Sequence, residues 1–222
     1  METIGQALIK SSATQSSANL PTNTQRLSPA VLLKTQLVRK KYGDEKKFLL
    51  TFNPGIQKYA GRHPDRAFFG EAPTLVIMRK TYGEDFPGTW LMAQILDLVA
   101  FSNSKGTLSG QPAEFLADAI ANEYYYLKAS ELLLFFYRFK TGAYGKFYGN
   151  VDPMMIMQGL QQFIKERNIA IDEHQKELER IEREKIAENS ITLREFCRNR
   201  GIPETDDINE ALKLLNVKPP SD

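Results

Sequence analysis

The sequence predicts an all-α protein: an irregular helical bundle around a long central helix, with a charged helical arm and a small C-terminal helical pair. Two observations favour this fold class. Apolar residues recur at intervals of three and four through much of residues 28–165, which is the period of a helix with one buried face. Ser, Thr or Asp precedes several of these segments and glycine follows them, as is usual at helix ends.

The composition is that of an ordinary globular protein. Of 222 residues, 42% are hydrophobic and 25% are charged. Lys and Arg total 29 against 27 Asp and Glu, a formal net charge of +2. So small an excess argues against a generally basic nucleic-acid-binding surface, although local basic patches stay open.

The first 27 residues are expected to form a flexible polar tail. Ser, Thr, Asn and Gln dominate from Ser11 to Gln25, and so few apolar side chains cannot offset the entropy lost on ordering. A tail that orders on a partner is the alternative interpretation. A helical core domain is then predicted over residues 28–165.

The core begins at Ser28 and Pro29, an N-cap followed by proline at the first helical position, and its first helix ends near Gly43. The apolar run 48–52 is predicted to be a strand or a buried extended piece, and residues 56–70 a loop. Basic residues gather along the first helix and the turn after it. They are Lys34, Arg39, Lys40, Lys41, Lys46 and Lys47, set against the acidic Asp44 and Glu45.

Three further helices follow within the predicted core. Thr74 is expected to cap a short helix that ends at Gly83, and Thr89 to cap the next. The strongest helical periodicity runs from Ala113 to about Lys140, whose second half is apolar on nearly all sides. A single central helix is therefore predicted there.

A charged arm is predicted over residues 166–190, continuing a helix that Asp152 and Pro153 begin. Its apolar residues are too sparse for a sustained coiled-coil seam, which favours a solvated spacer and leaves a coiled-coil dimer as the alternative. Residues 191–222 are expected to form a small helical unit, in which Thr192 and Glu195 make a capping box.

Most enzyme chemistry is disfavoured. The chain has one cysteine, Cys197, and two histidines, and it contains no Gly-rich phosphate loop, no paired-histidine zinc helix and no nucleophile elbow. We therefore expect no catalytic residue, metal or cofactor. No apolar run is long enough to span a bilayer and the start lacks the features of a signal peptide, so we expect a cytoplasmic protein with no membrane partner.

A basic, aromatic and glycine-rich stretch is the first candidate binding site. Arg138, Lys140 and Lys146 supply positive charge, and Tyr144 and Tyr148 are interleaved with glycines 142, 145 and 149. Cations that neutralise phosphates and aromatic rings that stack on bases would suit DNA, single- or double-stranded. The alternative is a tight interhelix connection whose aromatic side chains fill the core.

Arg194 and Arg198 form the second candidate site. Residues 191–202 resemble the opening of a helix-turn-helix unit, with a short amphipathic helix that ends at Gly201. The next helix follows acidic residues 204, 206 and 207, which would repel phosphates. A docking unit for a protein partner is therefore favoured over a DNA reader.

The chain contains the run LLLFFYRFKTGAYGKFYGNVDPMMIMQGLQQFIKER, the segment Ala72 to Leu75, and Trp90, Leu91 and Gln94. Through these residues, positions 68–167 resemble an uncharacterised family of Bacteroides-type bacteria and their prophages or mobile elements. Its signature residues are Phe135, Phe136, Lys140, Gly142, Tyr144, Gly145, Phe147, Tyr148, Gly149, Asp152, Pro153, Leu160 and Arg167. The N-terminal tail and the C-terminal pair lie outside it.

The resemblance implies a mobile-element setting and transfers no catalytic residue. Small helical proteins of that setting often serve replication, so we expect a non-enzymatic accessory protein in DNA replication that binds DNA or a replication protein. The alternative is a protein-interaction or structural module that binds no nucleic acid.

Overall fold

The structure is a computed structural model that describes residues 28–102, 108, 110–145, 151–190 and 192–215. These residues are helical apart from turns and connections, and among them no strand is present, which confirms the all-α class. The helices are α1 (Pro29–Tyr42), α2 (Glu45–Thr51), α3 (Gln57–Arg62), α4 (Pro64–Phe69), α5 (Leu75–Tyr82), α6 (Phe86–Ser102), α7 (Gln111–Glu123), α8 (Ala129–Lys140), α9 (Pro153–Asn189), α10 (Leu193–Arg200) and α11 (Ile208–Leu214).

The apolar run 48–52 lies in and just after helix α2, so the prediction of a strand or extended piece was wrong. The Asp44 side chain accepts a hydrogen bond from the Lys47 backbone N–H at 2.9 Å and so caps the helix. Phe48 and Phe52, one turn apart, are both buried, with ring centroids 4.6 Å apart. So short a run fits either periodicity, and burial of this aromatic pair favours the helix.

The predicted loop over residues 56–70 is also largely helical, because it contains α3 and α4. Proline begins α4, where its missing N–H is not needed. Gly61 lies inside α3, and the ring of Tyr137 on α8 occupies the space that a β-carbon at residue 61 would fill. This glycine therefore marks close packing between two helices.

We expect Gly61→Ala to lower the free energy of unfolding by about 1–3 kcal/mol, the usual cost of overpacking. The direction of the change in stability distinguishes close packing from open space, because Gly→Ala at an unhindered helix position stabilises a protein by about 0.5–1 kcal/mol. Urea denaturation measures the change. Lys58→Ala, at an exposed position of the same helix, is the control; equal stability of the two variants would contradict the close packing.

The predicted central helix is two helices, α7 and α8, separated by residues 124–128. Backbone hydrogen bonds hold this connection against the start of α5: Leu75 N–H donates to Leu127 O and Ala129 N–H to Pro73 O, each at 2.9 Å. Lys128 is extended and forms an isolated bridge with Thr74. These long-range bonds take the connection out of the helical path, which local periodicity does not reveal.

Helix α6 begins at Phe86, three residues before the predicted cap Thr89. Its residues Trp90 and Gln94 both donate hydrogen bonds to the Phe52 carbonyl, at 2.8 and 3.1 Å. Gln94 in turn accepts from Gln57 at 2.8 Å. Through Trp90 and Gln94, this buried polar network therefore joins α6 to the end of α2 and to α3.

Helix α8 lies at the centre of the core, and eight of its residues are buried. Phe135 contacts four other aromatic rings, those of Phe136, Phe139, Tyr144 and Phe163. Gly159 on α9 has no β-carbon, so the ring of Phe139 packs closely against the backbone of α9.

Helix α9 runs unbroken from the core into the charged arm, as the sequence predicts. The Asp152 side chain caps it by accepting from the Met154 N–H at 2.8 Å. Phe163 is its last fully buried side chain among those described, and the ring of His174 stacks on Phe69 with centroids 3.9 Å apart. No helix in the described residues combines the length and apolar character needed to cross a membrane.

Candidate functional site

Arg138, predicted to contact phosphate, is engaged within the protein. Its Nη1 donates to Glu166 Oε2 on α9 at 2.8 Å. Its guanidinium lies over the rings of Phe68 and Phe163, 5.7 and 6.0 Å from their centroids. The side chain therefore joins three helices, a use that the sequence pattern does not distinguish from phosphate binding.

Lys140 is engaged in the same way at the end of α8. Its ammonium forms an ion pair with the Asp97 carboxylate on α6 and lies 5.4 Å from the centroid of the Phe101 ring. The lysine side chain is mostly buried in this contact. To grip a phosphate it would have to leave Asp97.

Tyr144 is half-buried, and its ring packs against the core. Its ring stacks on Phe135 at 5.8 Å, and its hydroxyl donates to Glu166 Oε2 at 3.2 Å. Burial, with a further contribution from the negative charge of Glu166, raises the pKa of Tyr144 to about 12. The two remaining residues of this candidate site, Lys146 and Tyr148, lie outside the described residues.

The raised pKa of Tyr144 predicts a loss of stability in alkali. The folded state favours the neutral phenol, so the stability that Tyr144 contributes is complete below pH 10 and is lost as the pH rises towards 12. Chemical denaturation at several pH values in this range should show that the free energy of unfolding falls more steeply with pH for the wild type than for Tyr144→Phe. Tyr125→Phe, at an exposed ring, should keep the wild-type slope; parallel slopes for wild type and Tyr144→Phe would contradict the burial of this phenol.

In the C-terminal pair, the two predicted arginines bind the acidic residues of the following turn. Arg194 makes a two-pronged ion pair with Asp206, and Arg198 Nε donates to Glu204 Oε1 at 2.8 Å. The Arg198 guanidinium holds the pKa of Glu204 below its usual value. The capping box of Thr192 and Glu195 and the left-handed Gly201 are confirmed.

The described cations of both candidate sites therefore each have a carboxylate partner, which favours a structural role for them. Their contact with nucleic acid stays a prediction. Exposed cations that form no ion pair among the described residues lie elsewhere, and several of them are on α1 and α2. Among the described residues, Lys34, Lys40, Lys46 and Lys47 are exposed and form no ion pair.

A groove of about 770 Å³ lies beside two of these lysines, between α1 and residues 70–77. We call it the α1 groove. Its apolar surface comes from Leu37, Val38, Pro73 and Ile77, and its cations are Lys34, Lys40, Lys41 and Lys128. The volume is within the range of binding pockets, about 300–1,000 Å³.

The cations of the α1 groove differ in their availability. Lys128 is committed, because its Nζ donates to the carbonyls of Phe68 and Gly70 at 2.8 and 2.9 Å and so closes the end of α4. Lys41 pairs with Glu71 at 2.8 Å, but both side chains are largely exposed, so this pair contributes little. Lys34 and Lys40 form no ion pair among the described residues, so their ammonium groups are available to an anionic group.

The α1 groove is not predicted from the sequence, because helical periodicity groups Leu33 and Leu37 with the buried face of α1. Both leucines are more than half exposed, at 57% and 54%. Val38 and Thr35 are the buried residues of this helix. The sequence feature that could have indicated the groove is an apolar stripe on α1 that is flanked by lysines and has few acidic residues near it.

Comparison with known proteins gives no activity. Residues 111–206 match a family of unknown function (DUF6633), a segment that runs from α7 to the turn before α11. No curated protein and no solved structure matches the chain. Within the described residues, no group of three or more His, Cys, Asp or Glu side chains is placed to hold a metal ion.

Proposed function

We propose that this chain is a non-enzymatic accessory protein in DNA replication of a phage or mobile element, and that it acts by docking another protein. The observation that carries the docking mode is the α1 groove, an apolar surface flanked by unpaired lysines. The proposed mobile-element setting is supported by the resemblance of residues 68–167 to the mobile-element family.

The ion pairs of the sequence-predicted sites support protein docking over direct DNA contact. A phosphate that bound Arg138 or Lys140 would compete with Glu166 or Asp97, each on another helix of the core. The aromatic ring of Tyr144, which would have to stack on a base, is packed against Phe135. DNA binding at this site would therefore have to break these contacts.

Fluorescence anisotropy with labelled single- and double-stranded DNA across a salt series tests the docking mode. We expect no micromolar binding at physiological salt. DNA binding whose affinity falls with salt concentration as steeply as several phosphate contacts require would contradict the docking mode and would favour a DNA-binding protein. Under that outcome, Lys140→Glu combined with Lys146→Glu shows whether the glycine-rich stretch is the contact.

Affinity capture tests the proposed role in DNA replication. The full chain is used as bait in cells that carry its gene, and the captured proteins are identified by mass spectrometry. We expect components of a replication machinery to be enriched over a bait mutated in the α1 groove. Enrichment of proteins unrelated to DNA replication would contradict the proposed setting.

Direct DNA contact through α1 and α2 is a second candidate function, favoured by the exposed lysines of these two helices that have no ion pair among the described residues. In that case Lys46→Glu combined with Lys47→Glu should weaken DNA binding and reduce the salt slope by about two. If protein docking is correct, the same variant leaves the function intact, because neither lysine lines the α1 groove.

A further inference from the structure

We propose that the α1 groove binds an acidic peptide segment that also carries apolar side chains, presented by the partner protein. This inference rests on the proposed docking function and names the chemistry of its partner. It combines three observations: the apolar surface of the groove, the free lysines beside it, and the charge of the chain's own terminal segment.

The apolar surface requires apolar side chains on the occupant. Leu37 is 54% exposed and lines the groove with Ile77, which is partly exposed, and with the buried Val38 and Pro73. Covering such a surface removes apolar area from water, at about 25 cal/mol per Å². A phosphate backbone would leave this surface uncovered, so nucleic acid fits the groove less well than a peptide.

The lysines require negative charge on the occupant. Lys34 and Lys40 have no carboxylate partner among the described residues, and Glu71 is the only acidic residue that lines the groove. Glu71 is already paired with Lys41. An acidic segment would therefore meet two unpaired ammonium groups, and charge complementarity of this kind sets both the rate and the specificity of association.

The chain's own acidic residues are poor candidates for this role. Residues 1–27 contain one acidic residue, Glu2, against Lys10 and Arg26, so that segment carries the same sign of charge as the groove. The acidic turn before α11 is held by Arg194 and Arg198. An occupant from another protein meets the charge requirement better than either segment.

The groove sets the length of the occupant. From Lys34 to Lys41 helix α1 makes two turns, which is about 10 Å of groove wall. That span accommodates roughly two turns of a helix or three extended residues. We therefore expect a short linear segment in which acidic residues flank one or two large apolar side chains.

Selection from a peptide library tests the inference directly, since it requires no candidate partner. The full chain is immobilised and challenged with a random dodecapeptide library displayed on phage. We expect enrichment of peptides that combine Asp or Glu with Leu, Ile, Phe or Trp. Absence of enrichment over a support without protein, or enrichment of basic or purely polar peptides, would overturn the proposal.

A pair of matched charge reversals locates the binding. Lys34→Glu combined with Lys40→Glu should weaken the enriched peptides about tenfold or more. Lys46→Glu combined with Lys47→Glu changes the net charge equally, at exposed residues outside the groove, and should leave binding within about twofold. Equal loss in both variants would indicate non-specific attraction and would also overturn the proposal; thermal unfolding checks that both are folded.

The outcome is independent of the proposed setting. Peptide selection uses purified protein, so the groove can bind acidic peptides even if affinity capture finds no replication component. Conversely, a captured replication protein whose binding survives the Lys34→Glu, Lys40→Glu variant would support the setting and contradict this use of the groove.

Discussion

Replacing Arg167 by alanine is expected to lower the free energy of unfolding by about 3–5 kcal/mol, because the change leaves the Glu131 carboxylate buried without its cation. Glu131 has no exposed surface, and its Oε1 accepts from Arg167 Nε at 2.7 Å. Its Oε2 accepts from the Lys128 backbone N–H at 2.8 Å, which begins helix α8. Chemical denaturation at neutral pH measures the loss.

The matched control is Arg180→Ala on the same helix. Arg180 pairs with Glu177 and Glu184, but all three side chains are exposed, so we expect a much smaller change than at Arg167. Combining Arg167→Ala with Glu131→Gln should recover part of the stability, since the buried charge is then removed. If Arg167→Ala costs no more than Arg180→Ala, the buried pair does not hold α9 to α8 as described.

Phe135→Ala should destabilise the protein by a similar amount, about 3–5 kcal/mol, because it removes the ring at the centre of the aromatic cluster and leaves a cavity. Phe135 is completely buried against four aromatic rings. Such a loss is a large part of the roughly 5–15 kcal/mol that stabilises a domain, so a lower midpoint of thermal unfolding is expected as well.

Phe115→Ala is the control for this prediction, since Phe115 on α7 is 76% exposed. Its truncation should change the free energy of unfolding by less than about 0.5 kcal/mol. A loss of several kcal/mol at Phe115, or none at Phe135, would place the core elsewhere than at α8.

Three helix starts that depend on neighbouring residues were predictable from the sequence, whereas the predicted cap Thr89 lies inside α6 and Thr74 makes no side-chain capping hydrogen bond. The capping residues of α9 and α10, Asp152 and Thr192, act on backbone groups two or three residues away. The same holds for the start of α1 at Ser28. Local chemistry decides these positions, and a single sequence contains it.

Features that depend on distant residues were not predictable. The break between α7 and α8 is held by backbone groups near residue 75, about fifty positions earlier in the chain. The partners of Arg138 and Lys140, Glu166 and Asp97, lie on other helices, so a cluster of cations looked free when it was not. The α1 groove likewise forms only where residues 34–42 and 70–77 meet.

The continuity of α9 has a mechanical consequence. Beyond His174, which stacks on Phe69, the helix continues to Asn189 without a further buried side chain among those described, a rise of roughly 22 Å. Arg180 braces this stretch through ion pairs one turn away on either side. An unbroken helix resists bending far better than a coil. This stretch therefore acts as a rigid spacer, and its length sets the distance between its distal end and the core.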